Sequence, residues 1–248
     1  MELAGSRTDA IDLVQLGNVQ ISRATLCGPG APLFSALADF APIHGAAELA
    51  GLPTNGWRLV STRSPLGPVG RRATFVAPHG EARDRWVMLG LVLRDGSWWV
   101  SQVASDPLQV RPGKAARREG LRLVWCKQPI VGVAGEQLRL LIGLRNISDQ
   151  QWSTGHGEDG VEPDKLEAIA WLHDSTGRQL PARTAFVTSG PGPTTLINPG
   201  DTIMLSAQLM TIDPERLPPG NYQLSALLPS LGLESERGSL HLAAPGSR

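Results

Sequence analysis

Residues 217–228 read Leu-Pro-Pro-Gly-Asn-Tyr-Gln-Leu-Ser-Ala-Leu-Leu and contain Tyr222, the only tyrosine of the chain. The Pro-Pro-Gly sequence predicts a turn, because proline lacks a backbone N–H and glycine accepts a positive φ. After the turn, alternate residues share one face of a predicted strand, namely Tyr222, Leu224, Ala226 and Leu228. We expect the tyrosine hydroxyl to bond back across this corner, and the C-terminal half to pack around the strand.

The same period of two recurs through residues 120–243. The alternating sets are Leu121, Leu123 and Trp125; Leu138, Leu140, Ile142 and Leu144; Ile169, Trp171 and His173; and Ile203, Leu205, Ala207 and Leu209. With a short closing strand near residue 240, these runs and their turn signals predict an antiparallel β-sandwich of the immunoglobulin-like type. Trp171 is expected in its core, facing the strand of Tyr222. Residues 244–248 are predicted as a tail.

The N-terminal half shows helical spacing first and strand spacing afterwards. Residues 33–41 and 43–50 predict two core-facing helices, and residues 57–62, 71–77 and 85–94 predict strands. Asp95-Gly96 is typical of a tight hairpin that leads into a return strand over residues 97–103. We therefore expect a small α+β domain over residues 30–105. Residues 1–29 are an N-terminal extension, for which a strand pair and a short helix stay open.

Residues 106–119 are predicted as a linker, because they contain two prolines, a glycine and no sustained periodicity. They form the most basic stretch of the chain, with Arg117 and Arg118 as candidate binding residues. A solvated or salt-bridged linker is one reading, and a contact with a phosphate or an acidic partner is the other.

Four segments of the C-terminal half carry a family resemblance: residues 145–152, 170–184, 198–201 and 217–222. Their order resembles immunoglobulin-like β-sandwich modules that are appended to bacterial polysaccharide glycosyltransferases and exporters. The resemblance implies a module for binding or spacing rather than catalysis. Residues 30–105 resemble cystatin-like and nuclear-transport-factor-2-like α+β domains in element order and in one hairpin. That fold often holds a pocket between its helices and its sheet.

Charge and hydropathy exclude several classes of partner. Lys+Arg and Asp+Glu both number 23 in 248 residues, so the formal net charge is zero. A protein surface that binds nucleic acid or an anionic membrane needs an excess of positive charge, so neither partner is expected. The chain start lacks a signal-peptide pattern, and the apolar run at residues 87–93 is too short to span a bilayer. We expect a cytoplasmic protein without a transmembrane segment.

Sequence motifs for catalysis are lacking. The chain has no Gly-x-Ser-x-Gly motif and no glycine-rich phosphate loop, and its five histidines are scattered. Cys27 and Cys126 lack the spacing of zinc ligands; we expect buried or free thiols, with a disulfide as the alternative. No catalytic residue, metal site or cofactor is therefore predicted.

One loop is a candidate for binding. Residues 153–164 are polar and acidic, and recognition residues often lie on loops held by a rigid sandwich. His156, Glu158 and Asp159 are suited to contacts with sugar hydroxyls or with an arginine-rich partner. Trp152 at the base of the loop is suited to stacking, with a structural role as the alternative. A loop that is merely solvated is the competing interpretation.

These observations support three hypotheses for function. The first is a non-catalytic assembly or adaptor protein that binds another protein or a second copy of itself. The second, based on residues 120–243, is a glycan-recognition protein. The third is a small-molecule binder or enzyme that uses a cone-shaped pocket in the N-terminal domain, and it depends on fold analogy alone.

Overall fold

The computed structural model describes residues 12–17, 19–63, 71–80, 85–104, 106–155, 163–183 and 192–246. Strands dominate these residues and the helices are few and short, so the chain is mainly β, as predicted. The fold divides into two compact units, Met1–Gly113 and Lys114–Arg248. Within the described ranges, no helix has both the length and the hydropathy needed to cross a membrane.

The first unit contains nine strands and two short α-helices among its described residues. The strands are β1 (Leu13–Leu16), β2 (Val19–Ser22), β3 (Ile43–His44), β4 (Arg58–Arg63), β5 (Arg72–Pro78), β6 (Arg85–Arg94), β7 (Ser97–Val103), β8 (Leu108–Gln109) and β9 (Arg111–Pro112). The helices are α1 (Arg23–Cys27) and α2 (Leu33–Ala36), and single 3-10 turns lie at Ala38–Phe40 and Ala46–Leu49.

Two sheets organise these strands. The larger has the order β3-β7-β6-β5-β4, with β8 also paired to β6, and the smaller has the order β2-β1-β9. Asp95 and Gly96 join β6 to β7 with φ of 49° and 79°, the two positive values that a type I′ hairpin turn requires. The predicted hairpin is confirmed. Of the two alternatives for the chain start, the structure shows the strand pair, followed by α1.

The two long helices predicted for residues 33–41 and 43–50 are wrong. The first segment is α2 followed by a 3-10 turn, and the second is β3 followed by another. Leu33, Leu37 and Phe40 reach the core from these short turns. Pro42 offers no N–H for a helix, and Gly45 has a φ of 83°, which lies outside the right-handed helical region.

Residues 106–119, predicted as a linker, hold β8, β9 and the helix α3 (Lys114–Arg117). The division between the two units falls within this segment.

Two glycines of the first unit bring separate chain segments into backbone contact. A Cβ built on Gly30 would lie 2.4 Å from the carbonyl carbon of Gly56. Immediately after this contact, Ala31 and Trp57 exchange backbone hydrogen bonds of 2.8 and 2.9 Å. Trp57 is 1% exposed, so the contact fixes the chain beside one of the largest core side chains.

The second unit contains ten strands among its described residues. They are β10 (Leu121–Trp125), β11 (Ile130–Val133), β12 (Leu140–Asn146), β13 (Trp152–Ser153), β14 (Ala168–His173), β15 (Leu196–Ile197), β16 (Thr202–Leu209), β17 (Gly220–Leu228), β18 (Leu233–Glu234) and β19 (Gly238–Ala243). Eight strands form one sheet with the order β10-β12-β16-β14-β17-β19-β11, with β18 on β17, and β13 pairs with β15.

The pairing differs from a purely antiparallel arrangement. β11 runs parallel to β19, and β14 runs parallel to β16 over three residue pairs. The β14–β16 pairing makes the hydrogen-bonded path continuous, so it does not separate into two fully antiparallel sheets as predicted.

The core of the second unit follows the predicted alternation on four strands. The buried positions are Leu121, Leu123 and Trp125 on β10; Leu140, Ile142 and Leu144 on β12; Leu205 and Ala207 on β16; and Leu224, Ala226 and Leu228 on β17. On β14 the predicted face is wrong, because Ala168, Ala170 and Leu172 face the core and Trp171 is half-buried outside it. A shift of one residue exchanges the two faces of a strand.

The predicted hydrogen bond of Tyr222 is confirmed. Its hydroxyl donates to the carbonyl oxygen of Pro218 at 2.8 Å, four residues upstream at the corner before β17. The ring packs against the core of the second unit.

Candidate functional site

The outer face of β10, β12 and β16 is the candidate site. Because the core residues alternate along these strands, the residues between them point away from the core. The strand register aligns these outward positions in rows, with Arg122 beside Arg145 and Val124 beside Gly143. On the other side of β12, Gly143 lies beside Met204, and Leu141 lies beside Ser206.

An exposed apolar patch occupies the middle of this face. Leu141 is 54% exposed and Met204 is 51% exposed. The sulfur of Met204 lies 3.2 Å from the Sγ of Cys126. The two side chains approach each other beside Gly143, where a Cβ would lie 3.1 Å from the Cys126 Sγ. The absence of a side chain at position 143 therefore lets both sulfur-containing residues close over β12.

Arginines surround this patch. Arg122 and Arg145 are exposed cross-strand neighbours, and Arg139 is exposed just before β12 begins. The sequences of β10, β12 and β16 contain no aspartate or glutamate. Within the described part of the chain, none of the three arginines forms an ion pair. We call Arg122, Arg139, Arg145 and the apolar side chains of Val124, Cys126, Leu141 and Met204 the basic–apolar face.

A cleft of about 1140 Å³ adjoins one edge of this face, at the ends of β12, β14 and β16. Arg139, Met204 and Ser206 belong to both the cleft and the outward side of these strands. Its other charged lining residues include Glu167 and Glu215, so the cleft carries both signs of charge.

The predicted binding arginines of the basic segment make contacts inside the second unit. Arg117 forms a buried ion pair with Asp164, and the two side chains are 12% and 3% exposed. Arg117 also donates to the Ser230 carbonyl at 3.2 Å, and Arg118 donates to the Gly232 carbonyl. Both acceptors lie in the turn between β17 and β18. These contacts favour a structural role for the two arginines.

The predicted binding loop lies partly outside the described residues, which is where His156, Glu158 and Asp159 fall. Trp152 at its base is half-buried, packs against the core and donates its indole N–H to the Arg117 carbonyl at 2.7 Å. These contacts favour the structural alternative for Trp152.

Titratable groups outside the face are tied into the fold. His173 is 4% exposed, and its Nε2 lies 2.8 Å from the Ser225 Oγ. Burial, assisted by the positive charge of Arg237, lowers the pKa of His173 below its ordinary value. Burial also raises the pKa of Tyr222. Across the described ranges, no three His, Cys, Asp or Glu side chains are grouped so as to hold a metal ion.

Cys27 and Cys126 are free thiols, which leaves the disulfide alternative without support in this structure. Both are exposed, so of the predicted options, buried or free, the structure shows free thiols. Cys27 is the last residue of α1, and Cys126 follows directly after β10.

Sequence reasoning did not identify the basic–apolar face. Arg139 and Arg145 alternate with the apolar set predicted for β12, so their outward position follows from the sequence. The apolar members were hidden because Cys126, Leu141 and Met204 lie far apart in the chain, and only the register of three strands brings them together. The one available signal was the pair of apolar residues, Leu141 and Met204, at outward positions of predicted strands.

Comparisons with known proteins give this site no precedent. No family model matches the chain, and no curated protein and no solved structure resembles it significantly.

Proposed function

We propose that this chain is a non-catalytic adaptor or accessory subunit that binds another protein through its second unit. The observation that carries the proposal is the exposed apolar patch on the basic–apolar face. Large apolar side chains grouped on a rigid sheet and bordered by polar residues are typical of protein interaction sites.

We propose further that the second unit is an immunoglobulin-like sandwich. Its strand order supports this, since β10-β12-β16 would form one sheet and β14-β17-β19-β11 the other, joined only by the three-pair β14–β16 ladder. The hydrogen bond from Tyr222 to Pro218 supports it as well, because it is the bond of a tyrosine corner.

For the first unit, we propose a distant relationship to cystatin-like and nuclear-transport-factor-2-like domains. The β5–β6–β7 meander, with Leu33, Leu37 and Phe40 packed in its core cluster, supports this assignment.

The partner is a different protein rather than a second copy. In a symmetric dimer the same patch meets itself, so two sets of three arginines would enter one interface to which β10, β12 and β16 supply no carboxylate. Like charges brought together at an interface weaken binding by on the order of 2 kcal/mol or more.

A pull-down from cells that produce the protein, with the full chain as bait and mass spectrometry as the readout, tests the function. We expect a protein partner in stoichiometric amount, and a bait chain that is monomeric by analytical ultracentrifugation when the partner is absent. The control bait carries Leu141→Ser and Met204→Ser, which remove the patch while leaving the buried positions unchanged. Failure to recover any stoichiometric partner with the unmodified bait would refute the adaptor role.

A further inference from the structure

We infer that the basic–apolar face binds an acidic, amphipathic polypeptide segment of the partner, one that carries apolar anchors between carboxylates. This inference rests on the proposed protein-binding function and specifies the chemistry of the partner.

The charges on the face are unbalanced in one direction. Arg122 and Arg145 stand directly opposite each other on neighbouring strands, where like charges destabilise the sheet. Both are exposed, and in the described ranges neither has an acidic partner. A carboxylate placed between two guanidinium groups accepts charge-assisted hydrogen bonds from both and removes this repulsion.

The apolar patch lies within reach of the same ligand. Met204 lies beside Gly143 on the neighbouring strand. Arg145 is the next outward residue along β12, two positions after Gly143. Outward positions on the same strand are about 7 Å apart, which is the spacing of alternate side chains in an extended peptide. A segment with alternating acidic and apolar side chains therefore reaches the arginines and the patch together.

Other anionic ligands fit the face less well. The whole chain has zero net charge, whereas binding to anionic lipid requires a larger excess of basic residues, each contributing about 1 kcal/mol. The outward positions of β10, β12 and β16 hold no aromatic side chain, so single-stranded nucleic acid finds no surface for base stacking. A polypeptide makes use of both the arginines and the patch.

The thiol of Cys126 provides a local reporter for the test, and Cys27 is the internal control. Both thiols are exposed, but only Cys126 lies in the patch. The full-length protein is alkylated in the presence of a synthetic Glu/Leu peptide, and the rate at each cysteine is measured by mass spectrometry. We expect the rate at Cys126 to fall about tenfold at saturation, with Cys27 unchanged and with protection lost as salt is raised to about 0.5 M.

Three further probes define the specificity: a Lys/Leu peptide, a Glu/Ser peptide and vesicles of anionic phospholipid. We expect none of them to protect Cys126. The double variant Arg122→Glu/Arg145→Glu should lose protection by the Glu/Leu peptide. Its matched control is Arg72→Glu/Arg94→Glu, which makes the same change in net charge at exposed positions of the first unit and should retain protection.

Several results would overturn the inference: no protection by the Glu/Leu peptide, equal protection by the Lys/Leu peptide, the Glu/Ser peptide or vesicles, or protection that survives in the Arg122→Glu/Arg145→Glu variant. Used as bait in the pull-down, the same variant separates the two proposals. If it retains the stoichiometric partner, the adaptor function stands and this face is not the binding site. If the unmodified chain recovers no partner, the adaptor function itself is refuted.

Discussion

The buried ion pair between Arg117 and Asp164 makes the strongest prediction about stability. Asp164 is 3% exposed and Arg117 is 12% exposed, so each charge has lost most of its water. Substitution of Arg117 by Met keeps most of the aliphatic stem but leaves the carboxylate buried without this cation. Breaking a buried pair in this way costs about 3–5 kcal/mol. We therefore expect Arg117→Met to lower the free energy of unfolding of the second unit by that amount.

The partner substitution is expected to cost less. In Asp164→Asn the side chain keeps its shape, and the more exposed guanidinium retains its hydrogen bond to the Ser230 carbonyl. Losing one hydrogen bond between charged groups costs about 1.5–3 kcal/mol. The double variant Arg117→Met/Asp164→Leu removes both charges, and we expect it to recover most of the stability lost in Arg117→Met.

Urea denaturation of the full chain measures these changes, with amide hydrogen exchange in β10 and β17 assigning the loss to the second unit. With the single variant Asp164→Leu added, Arg117→Met and Arg117→Met/Asp164→Leu form a double-mutant cycle that gives the coupling energy between the two residues. A loss below about 1 kcal/mol in Arg117→Met, the range of a solvent-exposed pair, would show that Arg117 is not buried against Asp164 and would refute the structural role assigned to it.

Three other changes have defined outcomes. Tyr222→Phe removes the hydrogen bond to Pro218, and thermal unfolding should show a loss of about 0.5–1.5 kcal/mol. Since burial lowers the pKa of His173 below 6.5, the unfolded state binds its proton first. The contribution of His173 to the free energy of unfolding should therefore be fully present above pH 6.5 and decrease as the pH falls below it. In denaturation series across pH, His173→Gln should show a weaker dependence of stability on pH. Finally, a thiol reagent should label Cys27 and Cys126 in the native protein without denaturant; resistance of either would contradict its exposure.

The alternation of apolar residues predicted the core where only one face of a strand is apolar. On β12 the apolar set Leu140, Ile142 and Leu144 alternates with the exposed Leu141 and Arg145 and with the small Gly143, and the strand was predicted with the correct face. β14 contains the buried residues Ala168, Ile169 and Ala170 in succession. With both faces covered, its pattern does not define a core side, and the larger Trp171 suggested the wrong one.

Contacts between distant segments could not be predicted. Arg117 and Arg118 look like solvated cations in the sequence, because their acceptors Ser230 and Gly232 are more than a hundred residues away. The basic–apolar face is similar, since three separate strands must pair in one register before its residues meet. The hairpin at Asp95 and Gly96 was predictable because every residue that determines it is local.

The direct contact between the backbones of Gly30 and Gly56 restricts how this protein can diverge over evolution. Even alanine at position 30 would place a methyl group inside the Gly56 peptide, at 2.4 Å from its carbonyl carbon. No flexible side chain is present there to move aside. We expect true relatives, however different elsewhere, to share glycine at both positions, so this pair is a signature by which such relatives can be recognised.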